Sequence, residues 1–280
     1  VSVVSRRGVG GGRPVFQSLG GALDAGSFDH VAVAVETAGH QAVLTELAAR
    51  NHTGFVLVEK PLFAAPAALP QHGFRRAGVN YNLRFHPAVR TLRTALAGRP
   101  AEIADFHVGQ WLGDWRPGRD TAATYSASRA AGGGVLRDLS HELDLAAWLF
   151  GPVRLVAALG GRLGTVTVDA DDGWGLVMSC QRCPVVTVHL NSLDRRGRRH
   201  VTIQVEGETL AADLVKGTVE IGQRSERIAV DRDSTIAAMH QALIDGAPQV
   251  CSLEDGARVV ALIAAIEQSA RERKFIEAPA

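Results

Sequence analysis

Little in this sequence marks it for export, a membrane or a nucleic acid. It has three cysteines in 280 residues, an odd number and too few for a disulfide framework. A reducing cytoplasm is the default environment for such a chain. No apolar run approaches the ~20 residues of a spanning helix, and no charged-then-apolar leader opens the chain. Net charge is nearly absent as well. Thirty basic side chains face 29 acidic ones, a formal charge of +1. That excludes the strong global field used to attract nucleic acid or an anionic membrane. Internal repeats, a low-complexity linker and a disordered tail are missing too. Gly8 to Gly12 is glycine-rich but lacks the strand-to-helix context of a phosphate-binding fingerprint, and it reads as a loop.

What is present is a chain able to bury a core, with 46% hydrophobic and 21% charged residues. Its length suits one large domain or two ordinary ones. Up to residue 87, strand alternates with helix. Val1–Val4, Val15-Phe16, His30–Val35, Gly54–Val58 and Gly78–Asn82 read as strands. Leu19–Ala25 and His40–Ala49 read as helices, and a weak helix is expected over about 64–76 despite Pro66 and Pro70. This spacing predicts a parallel doubly wound sheet. From Pro87 the pattern changes. A helix over 88–96 and a strand over 101–111 precede an aperiodic stretch, 112–131, long enough to suggest a functional loop. Strand-like runs follow at 153–160, 173–180, 184–190, 200–205, 208–214 and 218–221, then helices at about 233–244 and 254–272. So many strands with few helices between them predict a large, mostly antiparallel sheet. The chain is therefore expected to divide into 1–87 and 88–280.

The stretch from Gly132 to Gly151 carries the most chemistry. Three glycines lead into a helical pattern that stops at Gly151-Pro152. Asp138 and His141 are three apart on that helix, as are His141 and Asp144, so they share a face. This is either an active-site wall or a capped helix whose polar face meets water. Lys60 follows the apolar strand 54–58, at the carboxyl end where open α/β sheets bind ligands. Other clusters read as structural. Cys180 and Cys183 sit at a strand–turn boundary without further ligands, and no metal site is expected. Arg195 to Arg199 reads as a solvated hairpin turn, with contact to an anionic sugar nucleotide as the alternative. The Leu262, Ile263 and Ile266 stripe reads as core.

Three separated motifs together resemble the glucose–fructose oxidoreductase / inositol dehydrogenase (Gfo/Idh/MocA) family. They are Val58-Glu59-Lys60-Pro61, Tyr81-Asn82-Leu83-Arg84-Phe85-His86-Pro87, and the glycine shelf with Asp138 and His141. The resemblance implies an incomplete Rossmann parallel sheet followed by an α/β substrate and oligomerisation domain with a large open sheet. It implies hydride transfer between NADP or NAD and a sugar, sugar nucleotide or cyclitol hydroxyl. A family relative that uses bound NAD for elimination or glycoside cleavage stays open. Lys60, Asp138 and His141 would be catalytic. Ser5, Arg6, Arg7, Val35, Glu36, His40, Glu59, Lys60 and Arg84 would meet the cofactor, the two arginines leaning towards the 2′-phosphate of NADP. Asn82, Trp115, Arg116 and Tyr125 would shape the substrate pocket. A homo-oligomer, dimer or tetramer, is implied by the open sheet. Val1 matches the family's second strand, so an N-terminally truncated member is expected. The alternative is a catalytically silent member acting as a structural or oligomeric partner.

Overall fold

The structure is a computed structural model. It describes every residue except 6, 7, 9, 10, 116, 117, 119, 121–123, 165–167, 232, 279 and 280. In the first part, β1 (Val3–Val4) pairs in parallel with β2 (Val15–Phe16). Separately, β3 (His30–Val33), β4 (Phe55–Val58) and β5 (Arg76–Val79) form a three-stranded parallel sheet in that order. Val56 and Val58 of β4 are fully buried and Leu57 is nearly so. A strand covered on both faces needs such a continuous apolar run. Helices α1 (Leu19–Ala25), capped by the Ser18 hydroxyl, and α2 (His40–Ala49) accompany these strands. A cleft of about 400 Å³ between β1 and β3, lined by Val3, Val4, Leu19, Ala22, Val31 and Val33, keeps the two parallel sheets apart.

The expected helix over 64–76 does not form; the segment runs irregularly until β5 begins at Arg76. Pro66 and Pro70 each remove a backbone donor and push the preceding residue out of the helical region.

From Pro87 the chain builds one nine-stranded sheet. Helix α3 (Pro87–Leu96) leads to β6 (Ala101–Gly109). After helices α4 (Val135–Asp138) and α5 (His141–Phe150) come β7 (Val153–Gly161), β8 (Gly173–Cys180), β9 (Cys183–Asn191) and β10 (Arg198–Val205). Then follow β11 (Glu208–Asp213), β12 (Thr218–Ile221), β13 (Arg224–Arg227), α6 (Ser234–Asp245), α7 (Leu253–Glu272) and β14 (Ile276–Glu277). The order is β13-β12-β11-β10-β6-β9-β8-β7-β14, antiparallel except between β6 and β9. Burial alternates along each strand. In β6, Ala104, Phe106 and Val108 are buried, while Ile103 and Asp105 are exposed. Helices cover the first face, with Ser269 of α7 accepting the Ala158 amide at 3.1 Å. On the second face Ile103, Leu155, Leu159, Val177 and Val185 are exposed.

Two features join the halves. Helix α6 returns to the first sheet, where Met239 and Leu243 cluster with Leu57 and Phe85. The Val79 amide donates to the Cys251 carbonyl at 2.9 Å, just before α7.

Candidate active site

The site forms where β4 and β5 end against the start of α5. The sequence predicts one helix through Asp138 and His141, but the structure breaks it: α4 ends at Asp138, and α5 begins at His141. Asp138 and His141 therefore do not share a helical face. The break has an evident cause. A helix end leaves carbonyl groups without partners, and the Lys60 ammonium takes the Asp138 carbonyl at 2.5 Å. The Tyr81 hydroxyl lies 3.2 Å from the Ser140 hydroxyl at the same break, and the Tyr81 ring meets His141 edge-on at 5.5 Å.

The glycine shelf earns its place sterically. A Cβ at Gly133 would sit 2.1 Å from the Tyr125 carbonyl oxygen. Gly132, at φ +83°, lies against Thr37 and Ala64 of the first half. This close approach sets Tyr125 beside Asp138, and its hydroxyl donates to Asp138 Oδ1 at 2.7 Å. Three polar atoms here are buried with no hydrogen-bond partner: Asp138 Oδ2, His141 Nδ1 and, on the residue that bonds Glu59, Asn80 Oδ1. Buried orphans are costly, so the pair on Asp138 and His141 suits a ligand bearing hydroxyl groups.

The electrostatics favour a neutral imidazole. Burial pushes the His141 pKa well below its ordinary value, and the nearby charges of Lys60 and Arg199 push it further. Burial also lowers the Lys60 pKa, opposed by Asp138, Glu59 and Glu142. Glu142, 1% exposed beside His141, is held by Arg199, whose Nε and Nη2 donate to its two oxygens at 2.7 and 3.0 Å. Arg199 was legible only as part of a basic run. The run is not simply solvated: Arg198 pairs with Asp194 at 2.7 Å, and the Arg195 guanidinium stacks 3.4 Å from the Trp111 ring centroid.

The structure brings Lys60, Asp138, His141 and Tyr125 together and shows the protein contacts of the other expected site residues. The buried His40 ring ties two loops: Nδ1 lies 3.1 Å from the Pro61 and Leu62 carbonyls and Nε2 3.1 Å from that of Val35. Both of its nitrogens thus meet backbone carbonyls, and it ties the turn after Lys60 to the end of β3. Glu59 accepts from Asn80 Nδ2 at 2.7 Å. Asn82 donates to Thr235 of α6 at 2.8 Å, so its amide fastens that helix. Arg84 is buried in an ion pair with Asp144. Trp115 is half-buried, with its indole N–H on the Gln110 carbonyl at 3.1 Å. Glu36 opens the turn before α2, the exposed Val35 lines the cleft beside β3, and the Ser5 amide donates to Phe16. Arg6, Arg7 and Arg116 lie outside the described residues.

Nothing among the described residues forms a metal-holding group of three or more His, Cys, Asp or Glu. Cys180 and Cys183 face each other across the β8–β9 turn, with burial raising the Cys180 thiol pKa to about 12. Neither thiol has thiolate character. No described helix is long and apolar enough to cross a membrane.

Comparison with known proteins agrees with this arrangement. Residues 90–212 match the family model of the GFO/IDH/MocA C-terminal domain. No curated protein matches. Among solved structures, GenD2 from gentamicin A biosynthesis in complex with NAD superposes with a TM-score of 0.80 at 22% identity, covering 100% of this chain and 88% of that one. Levoglucosan dehydrogenase in complex with NADH gives 0.79 at 18%, covering 95% and 84%. The WlbA dehydrogenase from Bordetella pertussis, in complex with NADH and UDP-GlcNAcA, gives 0.77 at 19%, covering 100% and 90%. At these identities the likeness establishes fold. The chain therefore has the mixed α/β fold of these neighbours, and its residues 90–212 match the C-terminal domain of the GFO/IDH/MocA family.

Proposed function

We propose that this chain is an NAD(P)-dependent oxidoreductase acting on a hydroxyl of a sugar, sugar nucleotide or cyclitol. The observation that carries the reading is the pair of orphaned buried atoms, Asp138 Oδ2 and His141 Nδ1, beside the buried Lys60 ammonium. They fit a carbinol next to a nicotinamide. When bound, the nicotinamide supplies the acceptor for the hydride that leaves the carbinol carbon. His141, neutral and with its proton on Nε2, takes the hydroxyl proton at Nδ1. Lys60, held at the Asp138 carbonyl, stabilises the negative charge growing on that oxygen as the C=O bond forms. Asp138 Oδ2 accepts from a neighbouring hydroxyl, while Tyr125 fixes Oδ1.

The neighbours hold NAD or NADH, and one also holds a sugar nucleotide. They support NAD as cofactor and a sugar-like substrate. Arg6 and Arg7 favour NADP instead, since an arginine there accommodates a 2′-phosphate. The chain assembles as a homo-oligomer through the uncovered sheet face, where Ile103, Leu155, Leu159, Val177 and Val185 are exposed. A catalytically silent partner would have no use for orphaned polar atoms in a crevice. Titration of the purified chain with NADH and with NADPH, followed by nicotinamide fluorescence, tests the reading. Saturable binding of either one is expected, and binding of neither at millimolar concentration overturns the reading. Sedimentation velocity tests the oligomer, a single monomeric species being the adverse result.

A further inference from the structure

We infer that the Arg84–Asp144 ion pair is the positioning device that sets His141 against Lys60 across the crevice. The inference rests on the proposed function for its purpose and on the pair's own geometry for its existence. Arg84 belongs to the 82–85 turn that follows β5. Asp144 lies on α5, one turn beyond His141. Arg84 Nε and Nη2 donate to Asp144 Oδ2 and Oδ1 at 2.9 and 2.6 Å, a two-pronged contact between side chains 4% and 1% exposed. Such a contact fixes orientation as well as distance. Among the described residues, no other side chain of α5 makes a hydrogen-bonded ion pair with the first half of the chain. The Arg84 Nη1 group reaches the Gln249 carbonyl at 3.4 Å, with Asp255 Oδ2 at 3.8 Å, so the guanidinium is anchored from a third side.

From Arg84 a short rigid path leads to the lysine. Tyr81, at the start of the same turn, touches Ser140, the residue before His141. Asn80 precedes it and bonds Glu59, the residue before Lys60, at 2.7 Å; its amide also donates to the Val58 carbonyl at 2.7 Å. Lys60 and Arg84 thus ride on adjacent strand ends of one sheet, and Asp144 ties the imidazole's helix to that sheet. An Arg-to-Lys change at such a site is not conservative, because an ammonium has no planar fork to match a carboxylate. A buried ion pair is weak evidence of net stability, since hydrophobic replacements often do as well. Its worth here is registration of two reacting groups.

The test is to follow the His141 imidazole by NMR titration in folded protein, without substrate. The variants are Arg84→Lys and the charge-exchanged double variant Arg84→Asp/Asp144→Arg. NADH and NADPH affinities are measured alongside. In Arg84→Lys the start of α5 should drift from Lys60 and from the packed turn, so the His141 pKa should rise towards its ordinary value by about one unit. Nicotinamide affinity should stay within about threefold, a change of under 1 kcal/mol. The exchanged pair should recover part of the wild-type titration. A folded Arg84→Lys protein whose His141 titrates as in wild type overturns the inference. Failure of both variants to fold also overturns it, by reducing the pair to a folding requirement. If the wild type binds no nicotinamide, the proposed function fails and the titration still reports on the pair.

Discussion

Two regions gather titratable side chains, and they are built on opposite terms. At the candidate site, His141 is half-buried, flanked by cations, and left with a buried, unpartnered Nδ1 near the unpartnered Asp138 Oδ2. On the uncovered face of the large sheet, His189, His107 and His200 stand side by side, in register on β9, β6 and β10. There His107 has Asp194 Oδ2 at 3.1 Å, its ring stacks on His200 with centroids 5.2 Å apart, and Asp194 is pinned by Arg198. The second cluster leaves none of its polar atoms both buried and without a partner, and the first does. Since an unmet buried polar group costs free energy that a satisfied one does not, the unmet cluster is the one a ligand completes.

The strongest way to break this comparison is to remove one histidine from each cluster. His141→Asn or Lys60→Met should lower turnover by about 10²–10⁴-fold, the span of a lost general base or charge stabiliser. His107→Asn should leave kcat within about twofold of wild type, as surface changes far from the chemistry do. Steady-state kinetics on a panel of sugars and sugar nucleotides checks both. Equal losses would erase the distinction.

Glycine gives the next largest contrast. Gly133→Ala forces a Cβ to within 2.1 Å of a backbone oxygen, which cannot swing away as a flexible side chain would. It should cost about 1–3 kcal/mol, the range for overpacking, and loosen the Tyr125–Asp138 contact. Gly175 lies on the uncovered face with nothing within 4 Å of its Cβ position. Gly175→Ala should be neutral or stabilise by up to about 1 kcal/mol through the unfolded chain. Thermal unfolding of the two variants measures the difference.

A pH profile sharpens the comparison further. His141 works as a base only when unprotonated, and its pKa lies below 6.5, so the acid limb of kcat/KM for oxidation should fall below pH 6.5. Lys60 stabilises the alkoxide only when protonated, and its pKa lies below 10.5, so activity should fail on the alkaline side before pH 10.5. His107→Asn should move neither limb.

The two regions also differ in how readily the sequence discloses them. Period-two burial made seven strands of the large sheet, β6 to β12, legible to within two residues, since one covered face imposes strict alternation on strands such as β6 and β9, while the two-residue β14 is too short to show a pattern. Strand β13 escaped because all four of its residues are exposed and carry no apolar signal. The crevice was legible as motifs but not as geometry. Lys60, Asp138, His141 and Tyr125 were named from the chain, yet the break between α4 and α5 was not. Its causes, Lys60 on a carbonyl 78 residues away and Tyr81 on Ser140, are long-range contacts that no local window contains. For the same reason the partners of Arg84 and His40, Asp144 and backbone carbonyls, were not legible, and Glu142 and Arg199 went unpaired.

The smallest effect lies on the satisfied side. Hydrogen bonding, first from Arg198 and also from His107 and Asn191, pulls the Asp194 pKa down to about 2. A carboxylate depressed in the folded state adds stability above its unfolded value of 3.8, and that stability is lost as pH falls through the folded value. Asp194 lies at the surface with a half-exposed partner in Arg198, so solvent screening limits its worth to about 0.2–1 kcal/mol. Asp194→Asn should therefore shift the acid unfolding midpoint slightly, between pH 4 and 2, and leave stability at pH 7 lower by no more than that amount. Turnover should not change, because Asp194 touches His107 and Asn191 but nothing in the crevice. A fall in turnover comparable to that of His141→Asn would mean that the two clusters communicate through β6 and β10, and the division between satisfied and unsatisfied groups would lose its functional meaning.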